Sequence, residues 1–234
     1  THINGTDLVK DTVTNDWVIL EDNLRVPSGA SYPLSIRDTY RKIYPEFFEK
    51  LKIKPIKEYP SMLKESMDYV NCGGINVVLT PGRFNSAYYE HAYLAKKSGA
   101  QLVRNNELVV QNKILYFKNY DGRLVRVGAV YRRLDDEFLD PKFFNEESLI
   151  GVPGIMEVYL SGNVAIMNAP GNGVADDKGI YYFVPKMIKY YLGEEPILDN
   201  APTYLPYFEQ DKKYIFENIE KLVIKDVAEA GGYG

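Results

Sequence analysis

The alternation of hydrophobic and polar positions near the start of the chain predicts a β-hairpin, then a loop and two helices. Two β-prone runs, residues 7–9 and 17–23, are separated by the polar segment KDTVTND, which is typical of a hairpin turn. The next segment, RVPSGASYP, is rich in Pro, Gly and Ser and is predicted to be a loop. Residues 36–51 have apolar side chains at helical spacing with an interruption at Pro45, which indicates two short helices.

The register of this hairpin brings polar side chains together on one face. A turn centred near Thr14 places Asp7 opposite Glu21. Because side chains alternate between the two faces of a strand, Glu21 and Asn23 share that face and Asp22 lies on the other. The side chains of Asp7, Glu21 and Asn23 are therefore predicted to converge.

From residue 76 onward the pattern alternates between strands and helices, as in an α/β protein. A strand over NVVLT, a helix over 87–97 that ends at Gly99, and a strand over QLV predict a βαβ unit. A hairpin around Asn112 and a strand over 125–133 follow. The remaining predicted elements are a helix at 156–160, a strand at 163–168, a helix from Lys178 that Pro185 should kink or restart, a helix at 212–220 and a strand over LVIK (222–225).

The composition narrows the classes of function. The 28 Lys and Arg residues against 32 Asp and Glu residues give a net charge of −4, which disfavours a general polyanion-binding surface. One cysteine, Cys72, and two histidines, His2 and His91, predict a reducing compartment and no transition metal. No apolar run reaches the roughly 18 residues of a membrane span, and a signal peptide is not recognisable. We expect a soluble, cytoplasmic protein that binds neither nucleic acid nor membrane.

The set Asp7, Glu21 and Asn23 offers only oxygen ligands, which hard cations prefer. Magnesium commonly uses one or two carboxylates together with nucleotide phosphates. The alternative interpretation is a solvated acidic face on an exposed hairpin, and spacing alone leaves both open.

A lysine and a glycine cluster near the end of the sequence are candidates for phosphate contacts. Lys225 is followed by Gly231, Gly232 and Gly234. Glycines allow backbone N–H groups to close over phosphates, and a lysine neutralises phosphate charge. A flexible terminal tail is the alternative.

A second lysine, Lys178, follows Asp176 and Asp177 at a predicted helix start. The aspartates are explained as helix caps, whereas the helix dipole disfavours a lone cation there. A nearby anion would explain the lysine, and an Asp–Lys surface pair is equally consistent.

Two further segments are candidates for substrate contacts. In the run YRRLDDEFLDP, Arg132 and Arg133 precede two aspartates, so these arginines either bind a carboxylate or phosphate or pair with the aspartates. The turn after the first strand of the βαβ unit carries Asn85, Ser86 and Glu90. The carboxyl end of a strand is the usual ligand side of an open α/β sheet.

Five motifs in fixed order span essentially the whole chain. They are VILEDNLRVPSGASY, LTPGRFNSAYYEH, VYRRLDDEFLDP, SGNVAIMNAPGNGVADDKGIYYFVPKMIKYYLGEEPIL and LVIKDVAEAGGYG. Together they resemble the circularly permuted ATP-grasp proteins related to glutathionylspermidine synthetase. The resemblance implies an α/β (α+β) fold: ATP-grasp segments at 1–65 and 166–234 around an inserted Rossmann-like βαβ domain at 66–165. It also implies a fragment, because family members are longer on both sides.

The activity implied by the resemblance is that of an ATP- and magnesium-dependent carboxylate–amine ligase. ATP would phosphorylate a carboxylate, an amine would attack the acyl phosphate, and an amide would form with release of ADP and phosphate. The implied partners are a small-molecule or peptide carboxylate and an amine acceptor, and glutathione, a polyamine or a peptide all stay open.

The resemblance also assigns individual residues. Related synthetases carry an arginine two positions before the first metal aspartate, where this chain has Gly5. The implied roles are metal ligation by Asp7, Glu21 and Asn23, nucleotide contacts by Lys178 and Lys225, a phosphate flap formed by Gly231, Gly232 and Gly234, and contact with the transferred phosphoryl group or acyl phosphate by Arg25 and Ser28.

Two other interpretations fit parts of the sequence. A catalytically incomplete fragment or a non-enzymatic nucleotide- or peptide-binding module would keep the fold, although the intact acidic, amide and lysine set argues against it. A nicotinamide-dependent oxidoreductase fits the βαβ segment, but the G-x-G-x-x-G fingerprint is missing.

Overall fold

The computed structural model describes residues 2–228, which form two compact units. Unit 1 contains the chain up to Ile3 and Val26–Pro170, and unit 2 contains Asn4–Arg25 and the chain from Gly171 onward. Within the described residues, no helix has the length and apolarity needed to cross a membrane.

The order of helices and strands confirms a mixed α/β chain. The strands are β1 Gly5–Lys10, β2 Trp17–Asn23, β3 Ile75–Leu79, β4 Gln101–Val103, β5 Leu108–Gln111, β6 Ile114–Lys118, β7 Leu124–Arg132 and β8 Ala165–Met167. The helices are α1 Ser31–Ile43, α2 Pro45–Lys50, α3 Tyr59–Val70, α4 Tyr88–Ser98, α5 Asp136–Leu139, α6 Ile155–Leu160, α7 Lys178–Leu192 and α8 Glu209–Asn218.

Unit 1 is built on a six-stranded sheet in the order β4-β3-β7-β6-β5, with β8 also paired to β7. The predicted βαβ unit is present: β3 and β4 are parallel and α4 connects them. Gly99 ends α4 with a φ of 77°, a left-handed conformation that glycine adopts without steric cost. The predicted hairpin turn between β5 and β6 contains Asn112 and Lys113, both with positive φ.

The core of unit 1 lies on both faces of this sheet. Val77 and Leu79 belong to one buried cluster, which includes α6, whereas Val78 belongs to another cluster, which includes α3 and α4. Side chains alternate across a strand, so a sheet covered on both faces needs a continuous apolar run such as the one in β3. This packing fixes the carboxyl ends of β3 and β7, which carry the polar side chains of the unit.

Unit 2 contains the β1–β2 hairpin, α7 and α8. A short segment after α7 extends the hairpin: Ile19 N donates to Asp199 O at 2.8 Å, and Ala201 N donates to Ile19 O at 2.7 Å. The hydroxyl of Tyr181, on the buried side of α7, also donates to Ile19 O at 2.5 Å. These bonds fix α7 against β2.

Several sequence predictions of local structure were wrong or incomplete. Helix α7 is continuous through Pro185, so the alternative of a restarted helix was wrong. Residues 222–225 form no strand, because no backbone ladder pairs with them among the described residues. The predicted loop ends earlier than expected, since α1 already begins at Ser31, and α3 was not predicted.

Candidate functional site

The β1–β2 hairpin has the predicted pairing of Asp7 with Glu21, but its register shifts by one residue toward the turn, where Leu8 lies opposite Ile19. Asp7 lies directly opposite Glu21, and Gly5 lies opposite Asn23. A β-bulge follows Asp7, and the Asn23 amide nitrogen donates to the Gly5 carbonyl at 3.3 Å. Bulges commonly re-aim side chains near functional sites. The placement of the three side chains on one face is confirmed, and their role as metal ligands stays a prediction.

Two like-charged carboxylates make this face unfavourable without a cation. Partial burial and the neighbouring carboxylate of Glu21 raise the pKa of Asp7 above its ordinary value of 3.8, and the charge of Lys225 opposes that shift. Within residues 2–228, no three His, Cys, Asp or Glu side chains converge to hold a metal. A cation at this face would therefore have two carboxylates and the Asn23 amide as ligands, a set that suits Mg²⁺ better than zinc.

Asp176 and Asp177 point to different elements of unit 2. Asp177 is the predicted helix cap: its Oδ1 accepts hydrogen bonds from Gly179 N at 2.7 Å and Ile180 N at 3.1 Å. Asp176 precedes this cap residue. Its Oδ1 accepts from the backbone N–H groups that follow β2, those of Leu24 at 2.6 Å and Arg25 at 3.1 Å.

The two candidate nucleotide lysines belong to connected segments of unit 2. Lys178 is the first residue of α7, and its backbone N–H donates to Val227 O at 3.1 Å. Lys225 is exposed and close enough to Asp7 to affect its pKa. The predicted phosphate flap, Gly231, Gly232 and Gly234, lies outside the described residues.

Arg25 lies two residues after the end of β2 and packs against the turn that carries Asp176. Its Nε lies 4.0 Å from Asp176 Oδ2. A Cβ atom added to Gly173 would lie only 2.4 Å from Arg25 Nε. The absence of a side chain at Gly173 therefore makes room for the guanidinium. The predicted contact of Arg25 with a phosphoryl group stays a prediction.

In unit 1, Arg132 is buried and bonded internally. Its Nε donates to Asn168 O at 2.8 Å, its Nη1 donates to Leu134 O at 3.0 Å, and its Nη2 lies 2.9 Å from Asp136 Oδ1. Of the two interpretations that the sequence left open, pairing with a following aspartate describes Arg132. Its buried guanidinium gives no support to a direct substrate contact.

Arg133 and Glu90 form a buried ion pair. Only 2% of Arg133 and 1% of Glu90 are exposed, and Nη2 lies 3.4 Å from Glu90 Oε1. Nη1 donates to Pro27 O and to the Tyr131 hydroxyl, both at 2.8 Å, while Nε has no hydrogen-bond partner among the described residues. Arg133 thus pairs with a glutamate on α4 and not with the aspartates that follow it.

The Arg133–Glu90 pair also fixes the loop that precedes α1. The Glu90 carboxylate accepts hydrogen bonds from the backbone N–H groups of Gly29 and Ser31 at 2.9 Å and from the Ser31 hydroxyl at 3.0 Å. Arg133 Nη2 donates to the hydroxyl oxygen of Ser28, which is exposed. The predicted substrate residues Glu90 and Arg133 are therefore brought together with Ser28. Their side chains are hydrogen bonded to the loop that carries Ser28.

The other predicted substrate residues in unit 1 lie on its surface. Asn85 and Ser86 are exposed in the turn after β3, and Asn85 Oδ1 accepts from Ala87 N at 2.9 Å. Within the described residues, the hydrogen bonds and the ion pair of Arg133 and Glu90 involve neither of them. Their substrate role stays a prediction.

Sequence reasoning missed two polar residues of these clusters. Asp176 was interpreted as a cap, although two adjacent acids before one helix leave one of them available for another partner. Thr80, at the end of β3, is buried, and its hydroxyl is hydrogen bonded to His91 Nδ1 at 2.8 Å. Burial and the positive charge of Arg133 lower the pKa of His91 to about 3, so the ring is neutral at physiological pH.

Comparison with known proteins gives a match over the full sequence. A family model described as a circularly permuted ATPgrasp matches residues 1–234. A Synechocystis sp. protein is 51% identical over 237 residues, which cover 100% of this chain and 49% of that protein. A Mycobacterium tuberculosis (H37Rv) protein is 39% identical over 239 residues, which cover 100% of this chain and 43% of that protein. Both carry the name "uncharacterized protein".

A further relative has a name that describes an activity. A Frankia alni protein, named as a candidate glutamate–cysteine ligase, is 37% identical over 235 residues, which cover 98% of this chain and 27% of that protein. The chain thus spans about half the length of the first two relatives and a smaller share of the third.

Proposed function

Because the chain belongs to the circularly permuted ATP-grasp family, we propose that it carries the metal and nucleotide residues of an ATP- and Mg²⁺-dependent carboxylate–amine ligase. The observation that carries the proposal is the hairpin face with Asp7 opposite Glu21, in the same compact unit as Lys178 and Lys225. Two carboxylates and an amide suit Mg²⁺, and two lysines suit the phosphates of a nucleotide.

The proposed reaction has two group transfers. A carboxylate oxygen attacks the γ-phosphorus of ATP, ADP leaves, and an acyl phosphate forms. An amine nitrogen then attacks the acyl carbon, phosphate leaves, the nitrogen loses a proton, and an amide bond remains. Phosphoryl transfer depends on positioning and charge neutralisation more than on a protein nucleophile, which agrees with a chain that offers lysines and carboxylates for this work.

The residues of this chain have distinct roles in the proposal. Asp7, Glu21 and Asn23 would hold Mg²⁺, which neutralises phosphate charge when bound. Lys178 and Lys225 would bind the phosphates, and Arg25 and Ser28 would contact the transferred phosphoryl group or the acyl phosphate. The name of the Frankia alni relative favours an amino-acid carboxylate and an amino-acid amine, whereas the resemblance of the sequence motifs to glutathionylspermidine synthetase would favour a polyamine amine.

The nucleotide site is tested by calorimetry and thermal unfolding with Mg²⁺ plus ATP, ATP alone, and Mg²⁺ plus GTP. Mg²⁺ plus ATP at about 100 times its Kd should stabilise the chain by roughly 2.7 kcal/mol, and ATP alone should stabilise it less. An absent Mg²⁺–ATP response would contradict the nucleotide part of the proposal.

Matched variants separate the site from its surroundings. Glu21→Gln should remove the effect of Mg²⁺ on ATP affinity, whereas Asp22→Asn should keep it, because Asp22 lies on the other face and accepts from the Thr6 hydroxyl at 2.7 Å. Lys225→Ala should weaken ATP binding, whereas Lys221→Ala should not.

The acceptor class is tested by ADP release from Mg²⁺–ATP. Pairs of carboxylate and amine are supplied, with glutamate plus cysteine and glutathione plus spermidine as the first two. ADP formation that requires both partners identifies a ligase, and ADP formation without either would indicate simple ATP hydrolysis.

A further inference from the structure

Asp176 connects two parts of unit 2 that are distant in sequence. Its carboxylate accepts from the backbone N–H groups of Leu24 and Arg25, which lie 152 and 151 residues away. Leu24 directly follows Asn23, the last residue of β2. A carboxylate that accepts two consecutive backbone N–H groups fixes the peptide planes that carry them.

The next residue, Asp177, fixes the start of helix α7. Asp177 caps the first turn of α7, where Lys178 is the first residue. Asp176 and Asp177 are joined by a single peptide unit, so the end of β2 and the start of α7 are held at a fixed separation. Lys178 N donates to Val227 O and brings the segment after Lys225 into the same arrangement.

The contact is also closely packed. Asp176 is three-quarters buried, with a side-chain exposure of 22%, and a Cβ atom at Gly173 in the same turn would lie 2.4 Å from Arg25 Nε. An exposed ion pair alone would fix little. Hydrogen bonds of 2.6 Å and 3.1 Å to two consecutive backbone N–H groups hold the geometry more firmly.

We propose that Asp176 is a positioning residue that holds Asn23 and Lys178 in register, so that metal ligand and phosphate-binding lysine act together. This inference rests on the proposed function of the hairpin face and the two lysines. In this proposal Asp176 acts through the backbone N–H groups of Leu24 and Arg25 on one side and through its peptide link to Asp177 on the other.

The first experiment measures the positioning without any ligand. Amide hydrogen exchange is compared for the wild-type chain, Asp176→Ala and Asp177→Ala. Asp176→Ala should accelerate exchange about tenfold or more at Leu24, Arg25 and the first turn of α7, because protection reports local opening. Asp177→Ala should affect the first turn of α7 alone. Unchanged exchange in α7 of Asp176→Ala would overturn the proposed coupling.

The second experiment measures the Kd of Mg²⁺–ATP by calorimetry. Asp176→Ala should weaken binding by about tenfold or more, as loss of a residue that orients a metal ligand typically does. Asp176→Asn keeps one acceptor oxygen and should recover part of the affinity. In a double-mutant cycle, Asn23→Ala should cost little more affinity in the Asp176→Ala background, because both changes disturb the same ligand.

A matched control removes a similar interaction at the other end of the hairpin. Asp11 Oδ1 accepts from Val13 N at 2.7 Å and Thr14 N at 2.8 Å. Asp11→Ala therefore deletes two backbone contacts of the same hairpin without touching the acidic face. It should lower the stability of unit 2 and keep wild-type Mg²⁺–ATP affinity.

The outcomes distinguish this inference from the proposed function. No binding of Mg²⁺–ATP by the wild-type chain contradicts the proposed function, and the exchange experiment still tests the coupling. Wild-type binding with unchanged affinity in Asp176→Ala overturns the inference and leaves the proposed function intact. Equal losses in Asp176→Ala and Asp11→Ala also overturn it, because hairpin stability would then explain both.

Discussion

The side-chain amide of Asn200 donates a hydrogen bond of 3.0 Å to the carbonyl oxygen of Tyr181. That carbonyl lies four residues before Pro185, which has no N–H group to donate to it. Helix α7 runs through its proline because a side chain from outside the helix supplies the missing donor. Asn200→Ala should therefore destabilise unit 2 by about 1–3 kcal/mol in denaturant unfolding, since a carbonyl loses its partner.

The matched control restores the backbone donor. Pro185→Ala returns an N–H group that can donate to the Tyr181 carbonyl. In that background Asn200→Ala should cost clearly less than in the wild-type chain. The same cost in both backgrounds would show that Asn200 stabilises unit 2 in some other way.

Because Asp7 lies opposite Glu21, we expect Asp7→Asn to have opposite effects on the stability of the metal-free chain and on its stabilisation by Mg²⁺ with ATP. Because the pKa of Asp7 is raised above 3.8 in the folded chain, the folded state binds more protons, and stability falls as pH rises through this window. Asp7→Asn should remove that fall and leave the metal-free chain at least as stable at neutral pH. It should also reduce the stabilisation by MgCl₂ plus ATP to that given by ATP alone.

The measurement is thermal unfolding between pH 3 and pH 8 (about the span in which carboxylates and imidazoles titrate), with and without MgCl₂ and ATP. Asp22→Asn, on the other face of the hairpin, is the control and should keep the metal response. A metal response of wild-type size in Asp7→Asn would remove Asp7 from the metal ligands.

The buried Arg133–Glu90 pair predicts a large loss of stability when one partner is changed. Glu90→Gln leaves the Arg133 guanidinium buried without its counter-charge and should cost about 3–5 kcal/mol in denaturant unfolding of unit 1. Arg123→Ala is the control, because Arg123 and Asp121 form an exposed pair in the same unit, and such pairs contribute about 0–1 kcal/mol. Similar losses in the two variants would contradict the structural role of Glu90.

The sequence predicted the features that depend on neighbouring residues better than those that depend on residues distant in the chain. The opposition of Asp7 and Glu21 followed from a short turn, since the register of a hairpin depends on neighbouring residues. The βαβ unit followed from periodicity and from Gly99. Both features depend on interactions within a few residues or across one turn.

The errors came from partners that lie far away in the sequence. Pro185 is accommodated by Asn200, and Arg133 pairs with Glu90, 43 residues away, instead of the adjacent aspartates. Asp176 binds a backbone more than 150 residues away. Single-sequence patterns describe propensities and neighbours, so they could nominate these residues but not their partners.

We expect a side chain at position 173 to clash with Arg25, and we expect Arg25→Ala to relieve that clash. A Cβ atom there would lie 2.4 Å from Arg25 Nε, so Gly173→Ala must displace the Arg25 side chain or the turn. We expect a small loss of about 1 kcal/mol, because Arg25 is a partly exposed side chain that can move to another rotamer. In an Arg25→Ala background the same substitution should be nearly neutral. An undiminished loss there would mean that the backbone at residue 173, and not Arg25, resists the side chain.

His91 predicts a specific pH dependence of the stability of unit 1. Its pKa is about 3 in the folded chain against an ordinary value of 6.5, because it is buried and close to Arg133. The folded state therefore binds fewer protons than the unfolded state between these values, and stability is lost as pH falls through them, by up to about 1.4 kcal/mol per pH unit. His91→Gln keeps a hydrogen-bonding group for Thr80 and removes this titration.

The measurement is the difference in unfolding free energy between the wild-type chain and His91→Gln as a function of pH. This difference should be constant above about pH 7.5, and below pH 6.5 the wild-type chain should lose stability relative to the variant. Parallel profiles down to pH 4 would show that His91 is protonated in the folded chain, or that its environment opens before it titrates.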